Sequence, residues 1–206
     1  MKIVATRDVA DGALDPLRET VEVELQASTE RETIVLLAAE APSWVRLIAE
    51  ASWWQQTLGA GATLFIVELI KEAAKDSWRN RAKAISFAGA AGGKVKALTS
   101  GLLALRSRLD PRTELLIATP VPSEYFGTQL KLGAQDEYSL QLEVALFVHH
   151  LTALGELMHT DELVAHKPAT GLFLELLPNG DLQVMWFDAQ TLEQHHRVLP
   201  LTPRET

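Results

Sequence analysis

The sequence predicts a single α/β domain spanning residues 1–206, with a mixed sheet covered by helices and a C-terminal antiparallel β-meander. Three observations support this fold class: short apolar or alternating segments of strand length, longer segments with apolar residues at helical spacing, and a turn motif between two of the last strands. The 206 residues are 47% hydrophobic and 22% charged, as in a folded domain with one buried core. No repeat, low-complexity tract or linker divides the chain.

Strands are predicted at 2–6, 21–27 and 33–39 in the first part of the chain. The segment 21–27 alternates between apolar and polar residues, which is the period of a half-buried strand. The segment 33–39 is continuously apolar, as in a strand that is buried on both faces. Because only a short connection separates these two segments, we expect them to form a hairpin.

A pair of helices is predicted between residues 42 and 82. Pro42 suits a first helical turn, and apolar residues follow it at helical spacing until Gly59 and Gly61 break the helix. Over 66–78 the apolar residues fall on one arc of a helical projection and the charged residues on the other. This second segment is typical of an amphipathic surface helix.

The second half of the chain predicts a βαβ crossover, a long helix and a meander. The predicted elements are a strand at 84–88, a glycine-rich turn at 89–94, a helix at 95–109, a strand at 113–119, a long helix at 136–159, and strands at 172–177, 182–187 and 195–201. The order strand, turn, helix, strand favours parallel pairing of the first two strands. Asn179 and Gly180 suit a two-residue type I′ turn in the last hairpin.

Charge is unevenly distributed along the chain. The net charge is −8, yet residues 71–112 hold ten Lys/Arg against three acids, a local charge of +7. Such a region could bind an acidic protein partner, an anionic ligand or nucleic acid, or it could be a solvated face. The acidic remainder and the scarcity of aromatic residues among the basic ones argue against nucleic acid.

Several classes of chemistry are excluded by residue type. The chain has no cysteine, which rules out disulfides, thiolate metal sites and a cysteine nucleophile. Its six histidines do not form a metal-binding motif, no catalytic motif is complete, and the sequence predicts neither a metal nor a cofactor. No signal peptide or apolar stretch of about 20 residues is present, so we expect a cytoplasmic protein without a membrane span.

The glycine-rich turn is a candidate phosphate site. Gly92, Gly93 and Lys94 precede a predicted helix, where backbone N–H groups and the helix dipole can hold an anion. The Walker A motif is incomplete, because Ala88 occupies its first glycine position and Val95 its Ser/Thr position. The glycines could equally make a tight turn alone.

Two adjacent tryptophans, Trp53 and Trp54, carry the other binding hypothesis. Neighbouring residues on a helix point about 100° apart, so one ring would be exposed or at an interface unless two layers enclose both. The sequence therefore favours a non-enzymatic protein-binding or assembly domain, with a protein partner or a second copy contacting Trp53, Trp54, Arg79, Arg81, Lys94 and Lys96. The alternative is an enzyme or sensor that binds a phosphorylated small molecule or nucleotide at residues 89–94, and whether the chain is an enzyme stays open.

Overall fold

The computed structural model of the protein describes residues 1–35, 42–73, 90–120, 127–160, 162–163 and 168–201, without the side chains at 65, 68–73, 90 and 91. Over these residues the predicted fold class is confirmed. They contain a mixed eight-stranded sheet and four α-helices, and the last three strands form an antiparallel meander.

The strands are β1 (Lys2–Thr6), β2 (Glu30–Ile34), β3 (Trp44–Ile48), β4 (Glu114–Thr119), β5 (Thr128–Leu132), β6 (Leu172–Leu176), β7 (Leu182–Phe187) and β8 (Gln194–Leu199). The α-helices are α1 (Asp15–Glu19), α2 (Ala51–Ala73), α3 (Ala90–Arg106) and α4 (Glu137–Leu157). A 3-10 turn at Asp11–Ala13 precedes α1, and a π-helical turn at Thr20–Glu24 continues it.

The strands lie in the order β2-β1-β3-β4-β5-β6-β7-β8. The neighbouring pairs β1–β2, β3–β4 and β5–β6 are parallel, and the other four are antiparallel. The crossover between β3 and β4 contains α2 and α3. Helices α2, α3 and α4 contact one another and therefore form one layer.

The two faces of the sheet differ in what lies against them. Val45 and Leu47 of β3 belong to a hydrophobic core that includes buried residues of α2, α3 and α4. Their neighbours along the strand, Trp44, Arg46 and Ile48, are half-buried, because successive side chains of a strand point to opposite faces. The helix layer therefore covers one face only of this central strand.

We call the second face the outer face. It consists of the even-numbered residues of β1–β4 and β8 and the odd-numbered residues of β5–β7, as the strand registers require. Val4, Leu116 and Ala118 of this face are buried but do not belong to the core that the helices share. They lie on β1 and β4, the two strands on either side of β3.

Helix α2 crosses the core without interruption, so the predicted break at Gly59 and Gly61 is wrong. Its core-facing residues recur every fourth position and are each at most 1% exposed: Trp54, Leu58, Ala62 and Ile66. Each glycine costs a helix about 1 kcal/mol, whereas burying one large apolar side chain gains about 1.5–3 kcal/mol. Burial therefore outweighs the two glycines.

The predicted strand at 21–27 is also wrong. Residues 20–24 form the π-helical turn after α1. Leu17, Val21 and Leu25 recur every fourth residue and are all buried, while Val23, which the alternation placed on the same face, is 63% exposed. The apolar residues thus satisfy a helical period as well as a strand period, and packing selects the helical one.

The predicted hairpin is therefore absent, because its first strand does not form. Of the predicted strand 33–39, residues 33 and 34 end β2, which pairs in parallel with β1. Residues 36–39 lie outside the described residues. The helix predicted from Pro42 is wrong at its start, since Trp44–Ile48 is strand β3 and α2 begins at Ala51. Hydrogen bonding to β1 on one side and β4 on the other overrides the helical spacing there.

The predicted βαβ crossover is only partly described. Its first strand, 84–88, lies outside the described residues, and the described parallel neighbour of β4 is β3. Residues 90–94, predicted as part of a turn, belong to the first turns of α3. A glycine-rich segment can continue a helix when the residues after it, here Val95 and Leu98, are fully buried.

Local signals predicted the remaining elements well. Helix α4 begins where the Asp136 side chain accepts a hydrogen bond from the Ser139 N–H at 2.9 Å. The hairpin of β6 and β7 and the strand β8 are confirmed. The turn between β6 and β7 is not type I′, because Gly180 has a positive φ of 87° and Asn179 does not. Strand β5 was missed.

Candidate functional site

The two tryptophans of the predicted interface lie at the beginning of α2, against the core. Trp54 is fully buried, its indole N–H donates to the Ala118 carbonyl oxygen at 3.1 Å, and its ring meets Phe147 edge to face. Trp53 is half-buried and packs against the core, with its ring centroid 5.2 Å from that of Trp54. Trp54 therefore offers no surface to a partner, and Trp53 offers only part of one.

The basic and glycine residues of the predicted sites divide into two groups. Arg79 and Arg81 lie outside the described residues. In α3, Lys94 and Lys96 are exposed, Gly93 is exposed and Gly92 is buried. Anion binding at the start of α3 stays a prediction.

The outer face carries a feature that sequence reasoning missed, an arginine at its centre. Arg46 lies on β3 between Val4 of β1 and Leu116 of β4, both of which are buried. Its guanidinium carbon is 4.6 Å from the centroid of the Trp44 ring, within cation–π distance. Its Nε is buried and has no hydrogen-bond partner among the residues that the structure describes. The sheet therefore holds a charged side chain between apolar neighbours, and the Nε–H of that side chain makes no hydrogen bond to the described residues.

Charge at this position persists at neutral pH. Burial lowers the pKa of Arg46, but a guanidinium is so strongly basic that it keeps its proton in proteins. An unpaired buried polar group costs about 1–3 kcal/mol, and more when the group is charged. A partner does not reach the buried Nε itself, but a carboxylate from a partner can pair with the guanidinium charge, which no carboxylate of the described residues neutralises.

The cations beside Arg46 are already neutralised. Lys2 forms an ion pair with Glu32, and Lys131 forms one with Glu114. Among the described residues, no carboxylate lies within ion-pair distance of Arg46. Arg46 is therefore the cation on the outer face that is ready for an external acceptor.

Partly exposed apolar side chains lie on the outer face both on β3, the strand of Arg46, and on β6, β7 and β8, which are three to five strands away. Phe173 of β6 and Phe187 of β7 are in edge-to-face contact, with ring centroids 6.4 Å apart. Phe187 and Val198 are 41% and 42% exposed, and Trp44 and Ile48 are half-buried. Apolar side chains that stay accessible around one polar anchor are characteristic of recognition surfaces.

Two shallow depressions flank Arg46, which lines both. One, of about 600 Å³, lies over β2, β1 and β3, and the other, of about 580 Å³, lies over the strands from β3 to β7. The second is also lined by Gln129, whose side-chain oxygen is buried and, within the described part of the chain, accepts no hydrogen bond. Arg46 thus borders both depressions, and the second depression also contains an acceptor.

The sequence contained a signal for this site. Trp44, Arg46 and Ile48 alternate with Val45 and Leu47, which is the pattern of a strand with an arginine on its less buried face. Because the segment was predicted to be helical, this strand pattern was not recognised.

Neither a metal centre nor a membrane helix is found in the described part of the chain. There, no three or more His, Asp or Glu side chains come together as a metal site would require. No helix over the same residues combines the length and the apolar composition that a membrane crossing needs. No protein-family model, curated protein or solved structure matches this chain.

Proposed function

We propose that this protein is a non-enzymatic protein-binding or assembly domain, and that its interface is the outer face of the sheet. The observation that carries the proposal is Arg46, a half-buried charged side chain that is stacked on Trp44 and has no ion-pair partner among the described residues. Arginine and tryptophan are the residue types most enriched among the anchors of protein interfaces. The two depressions give the partner a place on either side of them.

The dimensions of the outer face favour a macromolecule over a small ligand. Eight strands are separated by seven spacings of about 4.8 Å and span about 34 Å, and five residues of about 3.3 Å each extend about 17 Å along them. A standard protein interface covers about 800 Å² on each partner, which is comparable with this rectangle. Both depressions are shallow, whereas a small ligand is normally enclosed in one deep pocket.

The interface differs from the one predicted from the sequence. Trp54 is a core residue, so the helical pair cannot present two tryptophan rings to a partner. The outer face instead presents Trp44, together with the exposed Phe187 and Val198. Aromatic residues still anchor the partner, but they come from strands.

Thiol labelling tests the proposal, because the chain contains no cysteine of its own. One variant, Lys131→Cys, places a thiol on the outer face, where the lysine side chain is 60% exposed. The matched control, Ser100→Cys, places a thiol on an exposed position of α3 in the helix layer. Each variant is labelled with a maleimide in its native cells and as a dilute purified chain. For each position, the labelling rate in cells is divided by the labelling rate of the purified chain.

A covered outer face lowers the ratio at position 131 and leaves the ratio at position 100 unchanged. If nine-tenths of the chain is bound to its partner, labelling at position 131 slows about tenfold. Equal ratios at the two positions would show that nothing covers the outer face in cells and would overturn the proposal. The measurement does not depend on knowing the partner.

A further inference from the structure

We infer that the partner of the outer face is a second copy of this chain, packed sheet against sheet, with Arg46 of each copy paired with Glu175 of the other. The inference rests on the proposed function and adds the identity of the partner. It follows from the register of the sheet and from the distribution of charge on the outer face.

The registers place Arg46 and Glu175 on one row across the sheet. From β1 to β5 this row consists of Val4, Arg46, Leu116 and Lys131, each paired with the next. Glu175 of β6 continues the row when the parallel pairing of Leu130 with Leu174 is extended by one residue. In the strand order, Arg46 lies on the third strand from one edge and Glu175 on the third strand from the other edge. The two residues are thus equidistant from the centre of the sheet and opposite in charge.

A two-fold axis through that centre brings each arginine to a glutamate. Let the axis lie between the two packed sheets, parallel to the strands and midway between β4 and β5. Rotation about it brings β3 of one copy opposite β6 of the other, and each row keeps its position along the strand direction. Arg46 then faces Glu175 of the second copy, and the symmetry makes the same pair a second time. In the next row, Ile48 faces Phe173 and Glu30 faces His196.

The twist of the sheets does not separate the pair. Packed sheets cross at about 30°, and Arg46 and Glu175 each lie about 1.5 strand spacings, or roughly 7 Å, from the axis. The rotation then offsets the two opposed positions by roughly 4 Å, which the long side chains of arginine and glutamate can bridge. The pair lies near the middle of the interface, where anchors contribute most.

The net charge of the outer face opposes self-contact only weakly. The chain has a net charge of −8, so two copies repel each other over most orientations. The outer face carries three cations, Lys2, Arg46 and Lys131, against four carboxylates, Glu30, Glu32, Glu114 and Glu175, a net charge of −1. Self-association through this face adds little to the repulsion and satisfies Arg46.

Charge exchange tests the pairing. The oligomeric state of the purified chain is measured by sedimentation velocity over a range of concentrations, and four variants are compared: Arg46→Glu, Glu175→Arg, the double variant that combines them, and Arg18→Glu. The last is a matched control, since Arg18 is an exposed arginine of α1, which packs against α3 and does not belong to the outer face. Circular dichroism confirms that each variant is folded.

We expect the chain to form dimers and each single exchange to weaken dimerisation by about 100-fold or more, because like charges then oppose each other at two symmetric points. The double variant restores the pairs with their signs exchanged and should dimerise almost as well as the original chain. The control should dimerise unchanged. A double variant that stays monomeric, or single variants that dimerise normally, would overturn the pairing.

The outcome separates this inference from the proposed function. A purified chain that is monomeric at every concentration, with a thiol at position 131 that is still protected in cells, means that a different protein covers the outer face. In that case the assignment of the partner is wrong and the proposed function stands. Dimers together with protection in cells support both.

Discussion

Replacing Trp54 with phenylalanine is the most direct test of the core described above. The side chain is fully buried, and its indole N–H donates to the Ala118 carbonyl oxygen at 3.1 Å. Phenylalanine keeps an aromatic ring in the site but removes the donor and part of the ring volume. The change therefore removes a known hydrogen bond and creates a small cavity.

Three contributions set the expected loss of stability. The lost hydrogen bond contributes about 1 kcal/mol, since the Ala118 oxygen still accepts from the Ala49 N–H at 3.2 Å and is not left unpaired. The apolar surface that is no longer buried contributes about 1 kcal/mol. The cavity contributes about 1 kcal/mol more if it does not collapse. Together they lower the free energy of unfolding by about 3 kcal/mol.

The assay is urea unfolding followed by circular dichroism, with the slope against urea compared between variants. A domain is usually stable by about 5–15 kcal/mol, so the Trp54→Phe variant should still fold. Trp53→Phe is the matched control, because Trp53 is half-buried on the same turn of α2 and should lose about 1 kcal/mol or less. Equal losses for the two variants, or a loss below about 1 kcal/mol at position 54, would refute the assignment of Trp54 to the core.

Two further predictions concern strain and pH. In Gly127, φ is +76° and an added Cβ would lie 2.4 Å from the Thr119 oxygen, so Gly127→Ala should cost more than about 2 kcal/mol in urea unfolding. The control is Gly155→Ala in α4, where an added Cβ meets nothing within 4 Å, and this change should be neutral or stabilising. Equal losses of unfolding free energy for the two alanine variants would contradict the expected strain. Burial lowers the pKa of His150, so the unfolded chain binds the proton more readily and stability should fall as pH drops below about 6.5. In urea unfolding at several pH values, the free energy of unfolding should fall less with decreasing pH for His150→Gln than for the original chain. The control His159→Gln replaces an exposed histidine and should show the same fall as the original chain. The same fall in both variants would contradict the role of the buried histidine.

Elements with their own local signals could be predicted from the sequence. The cap at Asp136 and the apolar residues of α4 lie within one continuous segment, and so do the two strands around Gly180. Errors occurred where one segment satisfied two periods, as Leu17, Val21 and Leu25 do. Only packing against the rest of the chain distinguishes the two.

The candidate site could be predicted only in part, for a related physical reason. Arg46 alternates with buried residues, but its neighbours in space, Val4 and Leu116, are distant in sequence. A strand at the centre of a sheet is specified by the strands on either side of it, and no local pattern shows which ones they are. The role of Arg46 became visible once both neighbours were known.

The arrangement of β3 and β4 has a consequence for synthesis of the chain on the ribosome. Strand β3 pairs with β1 soon after both have been made, but its other side belongs to β4, which follows only after residues 49–113. During that interval β3 presents an unpaired edge to other nascent chains, and such edges promote aggregation. Early condensation of α2 onto the strands already made would limit the hazard, and chaperones should matter most for this protein before residue 119 has emerged.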